Sequence, residues 1–304
     1  MNSNKDLMVI LITGPTASGK SDFGLKLAKE IGGEIVNSDS VQIYKNIPIL
    51  SFSPTDLTSI PHHLYQFIDE KANFSISDFL TEVDKTIQGI VQRKKVPIII
   101  GGTPMYQRLL IDGLSKIPTI SKELSIKVRQ ELTSIGKEQF FQILARKDPS
   151  IIGVISPNDK YRMIKAFEFF ETQKKSITSM QSLPKIKILK PYKVIKICFL
   201  PSKEVVKSNC RERINLLDRH AAIEEAKKIM LLNLPITSPV PKVIGVKELI
   251  YFLKGDIGQD DAFEKTTIRT IQYIKKQYTW FRNKFTDFHI LTEPSLDNVL
   301  KLMQ

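Results

Sequence analysis

Cysteine is scarce: two residues in 304, Cys198 inside an apolar run and Cys210 in a helical stretch. Two thiols without metal-ligand spacing exclude a disulfide scaffold and a cysteine-based zinc site, and they fit a reducing compartment. No apolar run approaches the ~18 residues needed to cross a bilayer, so the chain reads as soluble, with no membrane partner and the cytoplasm as its location. The short apolar stretch near the start has no small-residue cleavage site and leads straight into a glycine-rich motif, so it reads as structure, not as a targeting segment. Internal repeats and low-complexity tracts are absent from the sequence. Acidic residues are in deficit, 32 against 45 lysines and arginines, leaving a net charge of +13. That excess points to an anionic partner, nucleic acid before membrane, or else to a lysine-rich proteome. With 42% hydrophobic residues the chain can bury one large core or two modest ones.

What is present begins with "LITGPTASGKSDFG", residues 11 to 24. Gly14, four further residues, then Gly19, Lys20 and Ser21 have P-loop spacing, directly after an apolar run that reads as a buried strand. Gly14, Pro15, Thr16, Ala17, Ser18, Gly19, Lys20 and Ser21 are therefore the expected diphosphate cradle. Backbone N–H groups turn inward at phosphate oxygens and the following helix adds the positive end of its dipole. Lys20 would neutralise the terminal phosphate, and the Ser21 hydroxyl would ligand Mg2+. The competing reading is a plain glycine turn between a strand and a helix. The motif leaves the reaction open, because a nucleoside triphosphate and any other diphosphate ester present the same oxygens.

Further on, "GEIVNSD" and "VPIIIGGT" read as strands separated by helical stretches. That alternation predicts an α/β fold, a parallel P-loop sheet with helices on both faces, whose ligands gather at the carboxyl ends of the strands. Gly14, Asp39 and Thr103 follow three such ends and should meet in one cleft. From residue 117 to residue 192 the character turns helical: Ser121 caps "KELSIKVRQELTSIG", "KEQFFQILARKD" follows, and Ser156 with Pro157 opens "NDKYRMIKAFEFFETQ". No strand is expected there, and Pro118, Pro184 and Pro191 punctuate the margins. The expected organisation is an α/β catalytic core, residues 1–116 and 193–304, with a helical insertion over 117–192. "YKVIKICFL" resumes the sheet, and "FHIL" is the expected last strand.

In order along the chain, "GPTASGKS", "VNSDSVQIYKNI", "PHHL", "FSISDF", "PIIIGGTPMYQRLLIDGL", "SPNDKYRMIKAFEFFETQ", "IGVKEL", "GD" and "IQYIKKQYTWFRN" resemble the tRNA dimethylallyltransferase family, also called tRNA isopentenyltransferases. The resemblance covers nearly the whole chain. It implies transfer of a dimethylallyl group from dimethylallyl diphosphate to the exocyclic amine of the adenosine 3′ of the anticodon in tRNA, with release of pyrophosphate. The chain would act as a monomer. The other readings are an ATP-dependent small-molecule kinase, a noncatalytic RNA-binding protein, and transfer to free adenine nucleotides. A kinase shares the P-loop, but "IIIGG" ends in glycines where many P-loop NTPases place a magnesium-binding aspartate.

The resemblance also assigns roles. Asp39 matches the family's catalytic aspartate, a base for the amine proton, and as a residue type after a strand it also reads as a helix cap. Thr103, after Gly101 and Gly102, would reach the bridging oxygen of the diphosphate, and it equally suits an N-cap before Pro104. Lys20 completes the catalytic set. Contacts to tRNA are implied at Asp39, Ser40, Val41, Gln42 and Thr103; in the insertion at Tyr161, Arg162, Met163, Ile164 and Lys165; and later at Lys242, Gln272 and Lys276. Arg162 and Lys165 fall three apart on one helix, which also suits an ordinary solvated face. On the terminal helix Ile271, Ile274, Tyr278 and Phe281 form an apolar stripe, with Arg269, Gln272, Lys276 and Thr279 on another face and Trp280 read as core. The chain departs from the family pattern at Leu50, Ser51, Phe52 and Ser53, where "GTAK" is usual, at Lys165, Lys242 and Ile271, where arginine is usual, and at Val246, where tyrosine is.

Overall fold

The apolar run at the N-terminus becomes a strand, β1 (Met8–Thr13), that is buried over most of its length. The computed structural model describes residues 7–54, 59–72, 74–115, 120–182, 184–235 and 238–304. Four more strands extend the sheet from β1 in register: β2 (Glu34–Asn37), β3 (His62–His63), β4 (Pro97–Gly101) and β7 (Lys193–Phe199). With β8 (His289–Leu291) they form a sheet whose order is β3-β2-β4-β1-β7-β8, six strands among the described residues. Every pairing is parallel. Thr13 lies opposite Gly101, Thr13 opposite Cys198, and Asn37 opposite Ile100, so the strands end level with one another. That common edge is where the P-loop, the Asp39 turn and the Gly102–Thr103 turn leave the sheet. The parallel architecture is the one the alternating pattern predicts.

The helices α1 (Lys20–Ile31), α2 (Ile76–Gln92) and α3 (Pro104–Asp112) follow β1, β3 and β4. After β7 come α6 (Lys203–Asn215), α7 (Arg219–Leu231), α8 (Val246–Leu253) and the long α9 (Gln259–Lys284). A short α10 (Leu296–Met303) follows β8, beyond the last element expected from the sequence. Its Leu296, Leu300 and Met303 pack against the core built on Ile10, Ile12, Leu27 and Ile98.

The chain divides into two compact units, Met1–Ile111 with Ile188–Gln304, and Asp112–Lys187. In the second unit, α4 (Lys122–Lys147) breaks at Gly136, whose φ of 79° lies outside the helical region, giving the two helices expected on either side of it. Ser121 caps α4 by accepting from the Leu124 N–H at 3.2 Å. Two expectations are corrected here. α5 (Lys160–Gln173) starts after Asp159, not at Ser156–Pro157, because the Asp159 carboxylate accepts the Arg162 N–H at 3.1 Å and supplies the cap. A strand also falls inside the region read as purely helical: β6 (Lys185–Ile186) pairs antiparallel with β5 (Leu114–Ser115). Two residues are too few to carry an alternating pattern. Ile117 and Pro118, at the expected start of the insertion, lie outside the described residues.

Candidate active site

The P-loop is held against the sheet at close quarters. A Cβ on Gly14 would collide with the Phe199 carbonyl oxygen, so only glycine lets β1 turn there. Ala17 and Gly19 take φ of 62° and 83°, curling the loop so that its N–H groups and the start of α1 face one concavity. The Ser18 hydroxyl is buried with no hydrogen-bond partner among the described residues. An orphaned donor in such a loop fits an anionic oxygen. Lys20 Nζ donates to the Pro15 carbonyl at 3.0 Å. Burial pushes the Lys20 ammonium down to about 8; the Asp39 charge opposes that shift and Arg213 adds to it. Ser21 is exposed at the mouth.

No helix directly follows Asp39, so its carboxylate closes a turn in place of the helix cap also read from the sequence. Its Oδ1 accepts the Val41 N–H at 3.0 Å and its own N–H donates to Asn37 Oδ1 at 2.8 Å, forming a tight polar turn. The other carboxylate oxygen faces the Gly102 backbone. Thr103 Oγ1 accepts the Ser40 N–H at 3.0 Å and shares a hydroxyl hydrogen bond with Ser40 at 3.1 Å, while α3 starts immediately after it. Around the point a Cβ on Gly102 would occupy, Asp39 Oδ2 stands at 3.3 Å, Gln277 Nε2 at 3.4 Å and Lys20 Nζ at 3.4 Å. A carboxylate, an amide and an ammonium from three distant segments thus surround one small space beside the phosphate loop.

Gln277 was not among the residues singled out from the sequence. Buried on α9, it accepts the Thr16 N–H at 3.0 Å and donates to the Gly102 carbonyl at 2.7 Å, tying the P-loop to the β4 turn. The available signal was a glutamine on the same buried face as Ile274 and Phe281. Arg213 of α6 was missed as well. Its guanidinium lies 4.0 Å from the centroid of the Phe52 ring and donates to the Phe52 carbonyl at 3.2 Å. Burial lowers its pKa, against the fields of Asp22 and Asp39. Gln42 Nε2 donates to the carbonyls of Ser51 at 3.2 Å and Phe52 at 2.9 Å, so its amide fixes this loop. Burial, and then the Asp39 charge, push the Tyr65 hydroxyl up.

Two of the expected tRNA contacts, Met163 and Ile164, have side chains turned away from any RNA. Met163 and Ile164 are buried in the core of the second unit with Phe140, Leu144 and Phe167, because they occupy the apolar side of α5. Tyr161 and Arg162 are exposed, and Arg162 reaches Asp159 at 3.3 Å. Lys165 pairs at 2.8 Å with the fully buried Glu168, whose other oxygen accepts from Ser125 at 2.5 Å. Lys242, Gln272 and Lys276 are exposed, whereas Val41 is half-buried. Arg269 pairs with the buried Glu248 while keeping one side in water, and Trp280, at 42% exposure, is not core. The departures from the family pattern fall together: Phe52 and Ile271 pack with Ala17, Val206 and Ile274, and Leu50 and Val246 share another apolar cluster.

Among the described residues no group of three His, Cys, Asp or Glu side chains is arranged to hold a metal, and no helix is long and apolar enough to cross a membrane. The buried thiols of Cys198 and Cys210 are pushed up to about 12 and about 11 by desolvation, as expected of inert packing residues.

Sheet order, phosphate-loop motif and facing carboxylate define a P-loop α/β protein with a carboxylate, an ammonium and an amide at the ends of its parallel strands. The profile of the IPP transferase family matches residues 42–284, and that of isopentenyl transferases matches residues 7–60. A tRNA dimethylallyltransferase from Rickettsia conorii is 40% identical over 289 residues, covering 94% of this chain and 79% of the relative. One from Allorhizobium ampelinum is 34% identical over 296 residues, covering 97% of each. Among solved structures, the tRNA isopentenylpyrophosphate transferase of Staphylococcus epidermidis is similar with a TM-score of 0.66 and 29% identity, covering 97% of this chain and 98% of its own. A eukaryotic dimethylallyltransferase acting on tRNA aligns with a TM-score of 0.78 and 26% identity over 93% of this chain and 73% of its own. The chain belongs to the tRNA dimethylallyltransferase family, a family of prenyl-transferring enzymes.

Proposed function

We propose that this protein transfers the dimethylallyl group of dimethylallyl diphosphate to N6 of the adenosine 3′ of the anticodon in tRNA, releasing pyrophosphate, as a cytoplasmic monomer. The observation that carries the mechanism is the convergence of Asp39 Oδ2, Lys20 Nζ and Gln277 Nε2 on the space at Gly102. N6 attacks the donor's first carbon as the carbon–oxygen bond breaks, and the bonding pair leaves with the bridging oxygen. Asp39 takes the N6 proton. Lys20, Arg213 and the loop N–H groups meet the charge that grows on pyrophosphate, and the Thr103 hydroxyl faces the bridging oxygen. The exposed Ser21 hydroxyl at the start of α1 would hold Mg2+, which would supply positive charge to the departing pyrophosphate. Ser40, Gln42, Arg162, Lys165, Lys242, Gln272 and Lys276 are the proposed contacts to the RNA, with Tyr161 as an exposed aromatic beside Arg162.

The test is incubation with dimethylallyl diphosphate, Mg2+ and tRNA lacking the modification, followed by nucleoside mass analysis. The expected product is adenosine carrying one prenyl group, at a single position per tRNA. Adenosine of unchanged mass under those conditions contradicts the assignment.

A further inference from the structure

Glu225 lies on α7, buried, and none of the roles above uses it. Its carboxylate accepts two consecutive backbone N–H groups from the other end of the core: Ile49 to Oε1 at 2.7 Å and Leu50 to Oε2 at 2.8 Å. Those donors belong to a tight turn in which Ser51, Phe52 and Ser53 donate back to Ile47, Ile49 and Pro48 at 2.9–3.0 Å. At its end the turn presents Phe52, held in the left-handed region at φ 53°. The Phe52 carbonyl accepts from both Arg213 and Gln42, and its ring supports the Arg213 guanidinium. A continuous set of hydrogen bonds therefore runs from Glu225 through the turn to two side chains at the site.

We propose that Glu225 is a positioning residue of the transfer reaction: as a carboxylate it clamps the Ile49–Leu50 turn and so sets Arg213 against the donor diphosphate and Gln42 at the acceptor side, and on protonation it releases them. This rests on the proposed function only for the identity of donor and acceptor. A carboxylate can accept both N–H groups, whereas a carboxylic acid turns one oxygen into a donor and leaves one N–H opposed. The surroundings make that change accessible. Burial raises the carboxyl to about 7, against the two N–H bonds and the Lys228 charge on the same helix. The cluster around the turn, with Leu50, Ala222, Ala226, Val246 and Leu249, is apolar. The charged groups of the facing α8 are otherwise engaged, Glu248 with Arg269 and Lys247 over the Tyr251 ring.

The experiment measures inorganic pyrophosphate binding and amide hydrogen exchange at Ile49 and Leu50, for the wild type and Glu225→Gln, at several pH values on either side of about 7. The wild type should bind several-fold more weakly on the acid side, with both amides losing protection beyond the intrinsic pH dependence of exchange. Glu225→Gln should bind weakly throughout, by about tenfold, as expected when a buried hydrogen-bonded clamp is broken. Its amides should stay open and its acid-side step should vanish. Titration of pyrophosphate itself is common to both proteins and cancels in the comparison. In steady state the donor KM should rise and kcat should fall with it, because Arg213 meets charge that grows as pyrophosphate leaves. The same step in both proteins, or wild-type amides equally protected across the range, overturns the proposal; the second result needs no variant, so it decides even if Glu225→Gln fails to fold. If prenyl transfer were absent but the amide step present, the clamp would stand and the assigned reaction would fall.

Discussion

At the scale of single residues, the site is defined by charges kept close without being neutralised. Lys20 is the clearest case, since burial holds its ammonium at about 8 when no anion is bound. A buried lysine costs most when charged, so the free protein tolerates Lys20 better as pH rises from its folded value towards the ordinary 10.5. A bound diphosphate reverses the preference by supplying the missing counter-charge. Binding of pyrophosphate just above pH 8 should therefore take up protons, and affinity should decline as pH climbs further. Calorimetry in buffers of different ionisation enthalpy reads the uptake directly, and Lys20→Met should remove its protein share. Uptake identical in both proteins would place Lys20 outside the diphosphate contact. Lys20, Asp39 and Thr103 were legible in sequence because each sits where a strand ends, marked by glycine or a short polar side chain. Arg213 and Glu225 were not, since a basic or acidic residue on a helix gives no sign that tertiary packing will bury it.

Among elements, apolar runs and caps carried most of what could be read. The strands β1 and β4 are nearly continuous apolar stretches, the form parallel strands take when both faces of the sheet are covered. Helix faces were harder. On α9 the residues that point inward include Thr266 and Gln277, so a stripe defined by apolar type alone missed a side chain that hydrogen-bonds the P-loop backbone. On α5 the same reasoning separates two cations that look equivalent in sequence. Arg162 is exposed and its loss should leave the helix intact, whereas Lys165 neutralises the fully buried Glu168. Arg162→Ala is expected to keep thermal stability and to lower the slope of log K for tRNA against log salt by about 1. Lys165→Ala should instead cost about 1–2 kcal/mol of stability, a discounted value because the lysine keeps one side in water. Salt titration of tRNA binding and thermal melting separate the outcomes; an unchanged slope for Arg162→Ala takes α5 out of the RNA contact.

Over the whole molecule, the chemistry depends on segments that the chain brings together from its two ends. Lys20 comes from the first phosphate-loop turn, Asp39 from the end of β2, Gly102 from the end of β4 and Gln277 from the last long helix. The level strand ends of a parallel sheet made three of these meetings foreseeable, and the fourth arises from how α9 docks, which no local pattern records. The net charge of +13 fits the same picture, a basic body around a site for a polyanion. The most direct measurement of this account is single-turnover prenyl transfer to tRNA by Gly102→Ala. Gly102 needs no unusual backbone angle, so the variant should fold and bind tRNA, but its methyl would occupy the space flanked by Asp39 Oδ2, Gln277 Nε2 and Lys20 Nζ at 3.3–3.4 Å. The account predicts a fall in transfer of about 100-fold or more, the scale lost when a base and its reacting atom are displaced. A rate close to that of the wild type, with the same product, would contradict it.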